Sequence, residues 1–459
     1  MEGGRMGSLR RTLTFRDLIV YGLLFIAPMA PVGIFGTLEA TSHGAITTVY
    51  IVATAAMAFT AYSYAQMVRV VPRAGSVYAY ARVGLGEGAG FVAGWMAMLD
   101  YLLIPAVAYL FSGIALHALV PSVHAWVWTA IAVVVTTLLN LRGVRAAALV
   151  GFAVLAMEIV VLVVFVVAAG YVLIAHGAQR GWTAPFTGEG GFSVGAVLAA
   201  ASVAVLSYLG FDAIASFAEE SAGGARRVAR AVLSCLVVAG VLFAVQTYLA
   251  ALLAPMSAAD LAAKPGTQAD AFYATARDAV GGWLQKLVAA SKAIGAAFAA
   301  LAGQAAAGRL LFAMARDRRL PGAMSQVDEG SGVPRRALLG AAVVSLVAAV
   351  WAARRDDGLA HLSSVVNVGA LTAFGLLHAS VIGWFHVRRR GAAPSVLRHG
   401  VVPLLGLAVV VAVIVSASRT AQVVGGVWGA VGLVVMWVQQ RRAKARRGGG
   451  TGADGGVGG

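Results

Sequence analysis

Apolar runs of about twenty residues recur along almost the whole of this chain, and no other feature narrows its possible folds so far. A run of that length matches the roughly 30 Å hydrocarbon core of a bilayer at about 1.5 Å per helical residue. Inside hydrocarbon every backbone N–H and C=O must be satisfied by the protein itself, which leaves helices or closed barrels. Runs this long and continuous read as helices. Twelve occur, at about 18–40, 44–68, 88–116, 124–141, 147–174, 193–218, 228–254, 280–311, 337–353, 361–386, 400–418 and 421–440. A charged fraction of 12% excludes a soluble globular protein, where charge accounts for about a quarter of the residues. The expected fold class is an all-α membrane protein with 12 transmembrane helices.

The net charge of +16 invites a nucleic-acid reading, but its distribution argues against one. Of the 35 Arg and Lys residues, 27 fall at the N-terminus, in the even-to-odd loops or the span ends beside them, and at the C-terminus; 7 fall in or beside the opposite loops, and Lys292 lies deep within a span. Such asymmetry is the positive-inside pattern and places both termini in the cytoplasm. The excess charge anchors topology and touches anionic lipid. The N-terminal segment lacks a small-residue cleavage site and is expected to be retained. Cys235 is the single cysteine and sits inside a span, so no disulfide framework exists.

Two of the spans are interrupted. The first carries Pro28-Met29-Ala30-Pro31-Val32-Gly33, where two prolines remove two backbone donors and clash with the preceding turn. The sixth carries Leu209-Gly210-Phe211-Asp212 and closes on Glu219-Glu220. Irregular backbone at membrane depth survives only where protein buries it or a polar cavity receives it. Spans 1–5 and 6–10 start from opposite faces, and each set opens with its broken member. Paired interruptions of this kind point to a secondary transporter built from inverted repeats, with its site at the midplane. The expected organisation is a cytoplasmic segment 1–17, a first repeat 18–174, a second repeat 193–386, two further helices in 400–440, and a basic, then Gly-rich, disordered tail 441–459. Gly84–Gly90 reads as the turn into span 3, since no Walker lysine or Rossmann strand accompanies it.

Three motifs carry a family likeness. Pro72-Arg73-Ala74-Gly75-Ser76 with Tyr78 and Tyr80, Gly210-Phe211-Asp212 through Glu219-Glu220, and Arg309–Asp317 followed by Leu320-Pro321 occur in this order. Together they resemble the signature segments of the amino acid–polyamine–organocation superfamily, over about residues 12 to 440. Gly94-Trp95, Asp100-Tyr101-Leu102 with Pro105, and Ala27-Pro28-Met29 are similar to the pattern of bacterial putrescine importers. The resemblance implies a LeuT-type 5+5 inverted repeat with broken helices 1 and 6 plus two C-terminal helices. It also implies alternating access and uptake of a small amine or amino acid, driven by protons.

Asp100, Glu158 and Lys292 lie about eleven or twelve residues into their spans, hence about 16–18 Å deep. Ionisable side chains at that depth are costly and functional by default, although mutual pairing would also account for Lys292 and Glu158. Asp212 follows the second break directly, where a carboxylate either caps the next half-helix or meets substrate. Candidate substrate contacts are Ala27, Pro28, Met29, Ala30, Val32 and Gly33 at the first break, and Tyr208, Leu209, Gly210, Phe211 and Asp212 at the second. Asp100 and Tyr101 join them from span 3, and Phe298 from span 8, where it matches by position the gate aromatic of antiporter relatives. The aromatic rings offer cation–π attraction to an ammonium, and each is also an ordinary packing residue. Lys292 and Glu158 are candidates for proton coupling; relatives place a buried lysine on span 5, where this chain has Glu158. Glu219 and Glu220 are expected to pair with Arg226 or Arg227 at an inner gate.

Prolines at the first break have no N–H with which to bind a substrate carboxylate. Together with mid-membrane acids, this favours a cationic amine such as putrescine; an amino acid permease on the same fold is the rival. No hydrolase or metalloprotease motif appears, so an enzyme is not expected, nor a cofactor or metal. The expected setting is a bacterial inner membrane, the expected state a monomer or homodimer.

Overall fold

The first helix begins at a capping box. Thr14 Oγ1 accepts the amide of Asp17 at 3.3 Å, and the Asp17 carboxylate takes the Thr14 amide at 2.8 Å. A computed structural model of the chain describes residues 13–71, 76–142, 145–216, 221, 223–316, 320–326, 334–388 and 393–448. Among these no β-strand forms; a single parallel bridge joins Leu13 to Ser221.

The helices run α1 (Phe15–Ile26), α2 (Phe35–Thr41), α3 (Ile46–Val70), α4 (Ser76–Gly84), α5 (Glu87–Leu119), α6 (Ala125–Arg142) and α7 (Arg145–His176). There follow α8 (Ala184–Thr187), α9 (Val194–Ala204), α10 (Ala213–Ser216), α11 (Gly224–Leu253), α12 (Ala258–Ala263) and α13 (Ala271–Ala279). The chain ends with α14 (Gly282–Arg316), α15 (Arg335–Ala353), α16 (Gly358–Ile382), α17 (Val402–Ser416) and α18 (Arg419–Gly448). Ten helical stretches among the described residues are long and apolar enough to cross a bilayer. The runs expected at 124–141 and 193–218 form shorter apolar helices, Ala125–Leu141 and Val194–Tyr208.

The first apolar run is not one helix. It stops at Ile26, passes through Ala27 at φ 59°, winds as a short 3-10 turn over Ala30–Gly33 and resumes as α2. Pro31 stands where the turn begins, so its missing N–H costs the 3-10 turn nothing. The sixth run behaves alike: α9 tightens into a 3-10 turn over Val205–Tyr208, opens at Leu209, and resumes as α10.

At the centre stands α5, packed against α14, α16, α6 and α15. Small residues permit this closeness: a side chain at Gly303 would reach Pro105, and one at Gly369 would meet the backbone of Met96. Outer helices instead present apolar side chains outward, with Ile174 89%, Val415 70% and Val347 65% exposed. That is a lipid-facing surface, and a water-facing one would not be built so. Helix α18 is held to α5 by a reciprocal pair: each indole N–H of Trp95 and Trp428 donates to the other's carbonyl at 2.8 Å, with the rings stacked at 4.9 Å. Within Gly84–Gly90 the turn from α4 into α5 is only Leu85 and Gly86, the latter at φ 123°, and α5 has already begun at Glu87. Pro72–Gly75, Asp317 and residues 449–459 lie outside the described residues.

Candidate functional site

The two breaks meet. Gly210 adopts φ 108°, and a Cβ there would sit 3.0 Å from both the Cβ and the carbonyl oxygen of Phe25, the last residue but one of α1 before the first break. Only glycine allows both the conformation and the approach. Donors at the first break are few. Pro28 and Pro31 have none, and the amides of Ala27, Ala30, Val32 and Ile34 bond to Leu23, Ala27, Met29 and Pro31 carbonyls in their own segment. The Pro28 carbonyl is taken by Gln246 of α11 at 2.9 Å.

Beside the paired breaks lies a cavity of about 100 Å³. Phe25, Leu209, Gly210 and Asp212 line it from the breaks, and Asp100, Tyr101, Ile104, Pro105 and Ala108 from α5. From α14 come Ala299, Gly303 and Ala306, a stripe of small residues that leaves the space open. Two carboxylates therefore face one small space. Asp212 Oδ2 accepts the hydroxyls of Tyr64 and Tyr101, both at 3.4 Å. The backbone amides of Gly210 and of Asp212 itself also lie against its carboxylate, so it is held by the break that precedes α10. Asp100 differs. It is buried, makes no side-chain hydrogen bond or ion pair among the described residues, and its Oδ1 has no partner at all. A buried polar atom left so costs about 1–3 kcal/mol, more if charged, and calls for a ligand.

Lys292 does not line this cavity. Its ammonium donates to the Met29 carbonyl at 3.1 Å and sits 4.7 Å above the Phe111 ring. Gly33 makes room for that ring, since any side chain there would overlap it. Ser291, one residue earlier on α14, donates to Met29 Sδ at 3.4 Å. Glu158 of α7 is buried, with Oε1 unpartnered and packed on Gly295, three residues along from Lys292. The two make no ion pair within 4.0 Å. A cation thus sits on the carbonyl of one break, with a fully buried acid nearby.

At the face away from most of the Arg and Lys residues, α2 is clamped. Arg180 Nη1 bonds Glu39 at 2.8 Å and Glu189 at 2.9 Å, and Nη2 bonds the Met256 carbonyl. Glu189 accepts the Ala258 amide at 2.9 Å, and its own amide bonds the His43 carbonyl at 2.7 Å. Glu39 is fully buried. At the basic face, Arg226, Arg227 and Arg230 border a cavity of about 400 Å³ with Phe15 and Gly223. Glu219 and Glu220, their expected partners, lie outside the described residues.

The structure thus gathers Asp100, Tyr101, Leu209, Gly210 and Asp212 around one space. It places the other candidates elsewhere. Tyr208 is packed with Tyr50 and Phe243, its hydroxyl 2.6 Å from Thr54 Oγ1. Phe211 packs on Tyr64 and Phe374. Phe298 is half-buried and is not among the cavity's lining residues, and neither are Ala27, Pro28, Met29, Ala30, Val32 or Gly33. Phe25 and the stripe Ala299, Gly303 and Ala306 were not anticipated. The stripe's spacing of four and three residues was the available signal, since it puts small side chains on one helical face.

Broken apolar helices that meet at a buried, acid-lined cavity define a multi-pass membrane carrier. The chain belongs to the amino acid permease family, whose profile matches residues 18–438, within the amino acid–polyamine–organocation superfamily. It is 28% identical over 436 residues to the low-affinity putrescine importer PlaP of Escherichia coli K12, covering 94% of this chain and 93% of that one. It is 26% identical to the branched-chain amino acid permease BcaP of Lactococcus lactis, over 95% and 96% of the two chains. Against the methylthioribose transporter of Bacillus subtilis it is 31% identical, over 82% and 81%.

Proposed function

We propose that this protein is a secondary active transporter that imports a small organic amine, putrescine or a mono- or diamine of similar size, across a bacterial inner membrane. The observation that carries this reading is the buried Asp100 carboxylate, unpartnered in a cavity it shares with Asp212 and Tyr101. An ammonium supplies the missing donors and offsets the charge. The first break supports the same choice, because Pro28 and Pro31 offer no amide and those of Ala27, Ala30, Val32 and Ile34 are bonded within their own segment, which leaves few donors for a substrate carboxylate. Size agrees as well. An apolar cavity of about 150 Å³ admits benzene, so about 100 Å³ suits a ligand of a few heavy atoms.

In this reading, helices α1 to α7 and α9 to α16 form two inverted five-span repeats, with α17 and α18 outside them and both termini cytoplasmic. Spans 4 and 6 complete a count of twelve. Lys292 carries the coupling proton and Glu158 balances its charge. Protonated, Lys292 holds the Met29 carbonyl; deprotonated, it releases the break. Arg226 and Arg227 act at the inner gate with Glu219 and Glu220, and Asp212 holds the second half-helix.

The amino acid permease reading is favoured by the family and by the BcaP relative. Lys292 is not placed to serve it, since its ammonium is engaged outside the cavity. Uptake of labelled putrescine into proteoliposomes under an inward proton gradient, competed by a panel of amines and amino acids, tests the two. Accumulation of neutral amino acids without competition from any amine would reject the amine proposal.

A further inference from the structure

A second, larger cavity of about 860 Å³ opens at the basic face, between the end of α3, the end of α16 and the turn that leads into α17. It is within the range of about 300–1,000 Å³ usual for ligand sites, and none of the residues assigned above belongs to it. The residues around it supply hydrogen-bond donors and include no acid. Arg69 and Arg398 reach it with exposed guanidinium groups that make no ion pair or side-chain hydrogen bond among the described residues. Gln66 lines it too: only 8% exposed, its carboxamide has no hydrogen-bond partner among those residues. The Trp384 indole N–H is likewise buried without an acceptor. On the far wall the His399 ring stacks on Phe385 at 3.7 Å, and its Nδ1 accepts the Ser395 amide at 3.1 Å.

The backbone is unusual here as well. Gly383–Val387 and Val396–Val401 both wind as π-helical turns, a rare geometry that concentrates at functional sites. The second turn carries the cavity's Arg398 and His399 and also turns Val396 (72% exposed) and Leu397 (63%) outward, as lipid-facing residues. One short segment therefore offers a guanidinium to a pocket and an apolar rim beside it. Paired arginines with further neutral donors suit phosphate oxygens, and basic pockets between spanning helices on the cytoplasmic side receive anionic headgroups.

We propose that this cavity binds the headgroup phosphate of an anionic phospholipid, with Arg69 and Arg398 on the phosphate oxygens and the acyl chains lying along Val396, Leu397 and Val401. The lipid bridges α3, α16 and α17 beyond the place where Ser63 of α3 bonds His378 of α16 at 2.8 Å. The test uses the purified, delipidated full chain in detergent. Phosphatidylglycerol, phosphatidylcholine and inorganic phosphate are added separately, with melting temperature and the number of lipids retained in native mass spectrometry as readouts. Phosphatidylglycerol should raise the melting temperature saturably by several degrees and leave one tightly held lipid. Phosphatidylcholine should do less, and inorganic phosphate nothing. Arg69→Gln/Arg398→Gln should lose both effects, and Arg69→Lys/Arg398→Lys should keep part of them. If the double glutamine variant is not monodisperse, Arg398→Gln alone and Gln66→Leu, each of which should weaken retention severalfold, decide the matter. The proposal is overturned if these variants retain the lipid as the unaltered chain does, if both phospholipids act equally, or if phosphate alone reproduces the shift.

Discussion

Asp100 and Lys292 show how differently two buried charges can be provided for. Lys292 has a carbonyl and a ring face, whereas Asp100 has an oxygen with no partner. From this asymmetry, Asp100→Asn should weaken amine binding roughly 10- to 100-fold, the value of a charge-assisted hydrogen bond of about 1.5–3 kcal/mol. Binding measured by calorimetry checks it, and the melting temperature without substrate should not fall, because an unsatisfied acid has been removed. Lys292→Ala should abolish proton-driven accumulation but preserve exchange of internal for external amine; a variant that still concentrates substrate refutes the coupling role. Both residues were legible from their depth in the sequence. Their inequality was not, because it depends on which backbone carbonyl happens to face each one.

At the scale of elements, the broken helices are the parts that can move, and α2 is the one most visibly tied. Arg180 fastens it to the loop carrying Glu189 and to the Met256 carbonyl before α12. Removing one partner of a buried pair strands the other charge, at a cost of about 3–5 kcal/mol. Arg180→Ala should therefore lower the melting temperature markedly, and Glu39→Gln in the same chain should recover part of the loss. The same change should loosen α2. Ser42→Cys, buried at 2% exposure, should then react faster with a membrane-impermeant maleimide than it does with Arg180 present; equal rates would show that the clasp does not hold this end closed. The native Cys235 is buried and should contribute little background. The breaks themselves were readable from Pro28, Pro31 and Gly210. Arg180 was not singled out, for it lies far in sequence from Glu39 and looks like an ordinary loop cation.

For the molecule as a whole, the charge asymmetry yields a topology that can be measured. Cysteines replacing Arg355 and Lys264 should be labelled from outside intact cells, whereas one at Arg227 should be labelled only after permeabilisation. The reverse pattern would overturn the proposed orientation and, with it, the assignment of the basic cavity to the cytoplasmic leaflet. Chain length should matter too: a cavity near 100 Å³ predicts that extending a diamine by several methylenes costs affinity, measured by competition against putrescine uptake.

The sequence by itself determined the class of this protein. Long apolar runs admit little but spanning helices, the loop charges distinguish the two faces, and proline and glycine mark where the runs must open, all because these are local consequences of burying a backbone in hydrocarbon. The motifs identified the family as well. Only the tertiary structure decided which residues form the cavity. Of the aromatic candidates, Tyr101 lines it, whereas Tyr208 and Phe211 pack elsewhere; Ala299, Gly303 and Ala306 supply a wall that no single position in the sequence advertises. A ring at a helix break can face substrate or core with equal local logic, and the neighbouring side chains of α3, α11 and α16 make that choice for Tyr208 and Phe211.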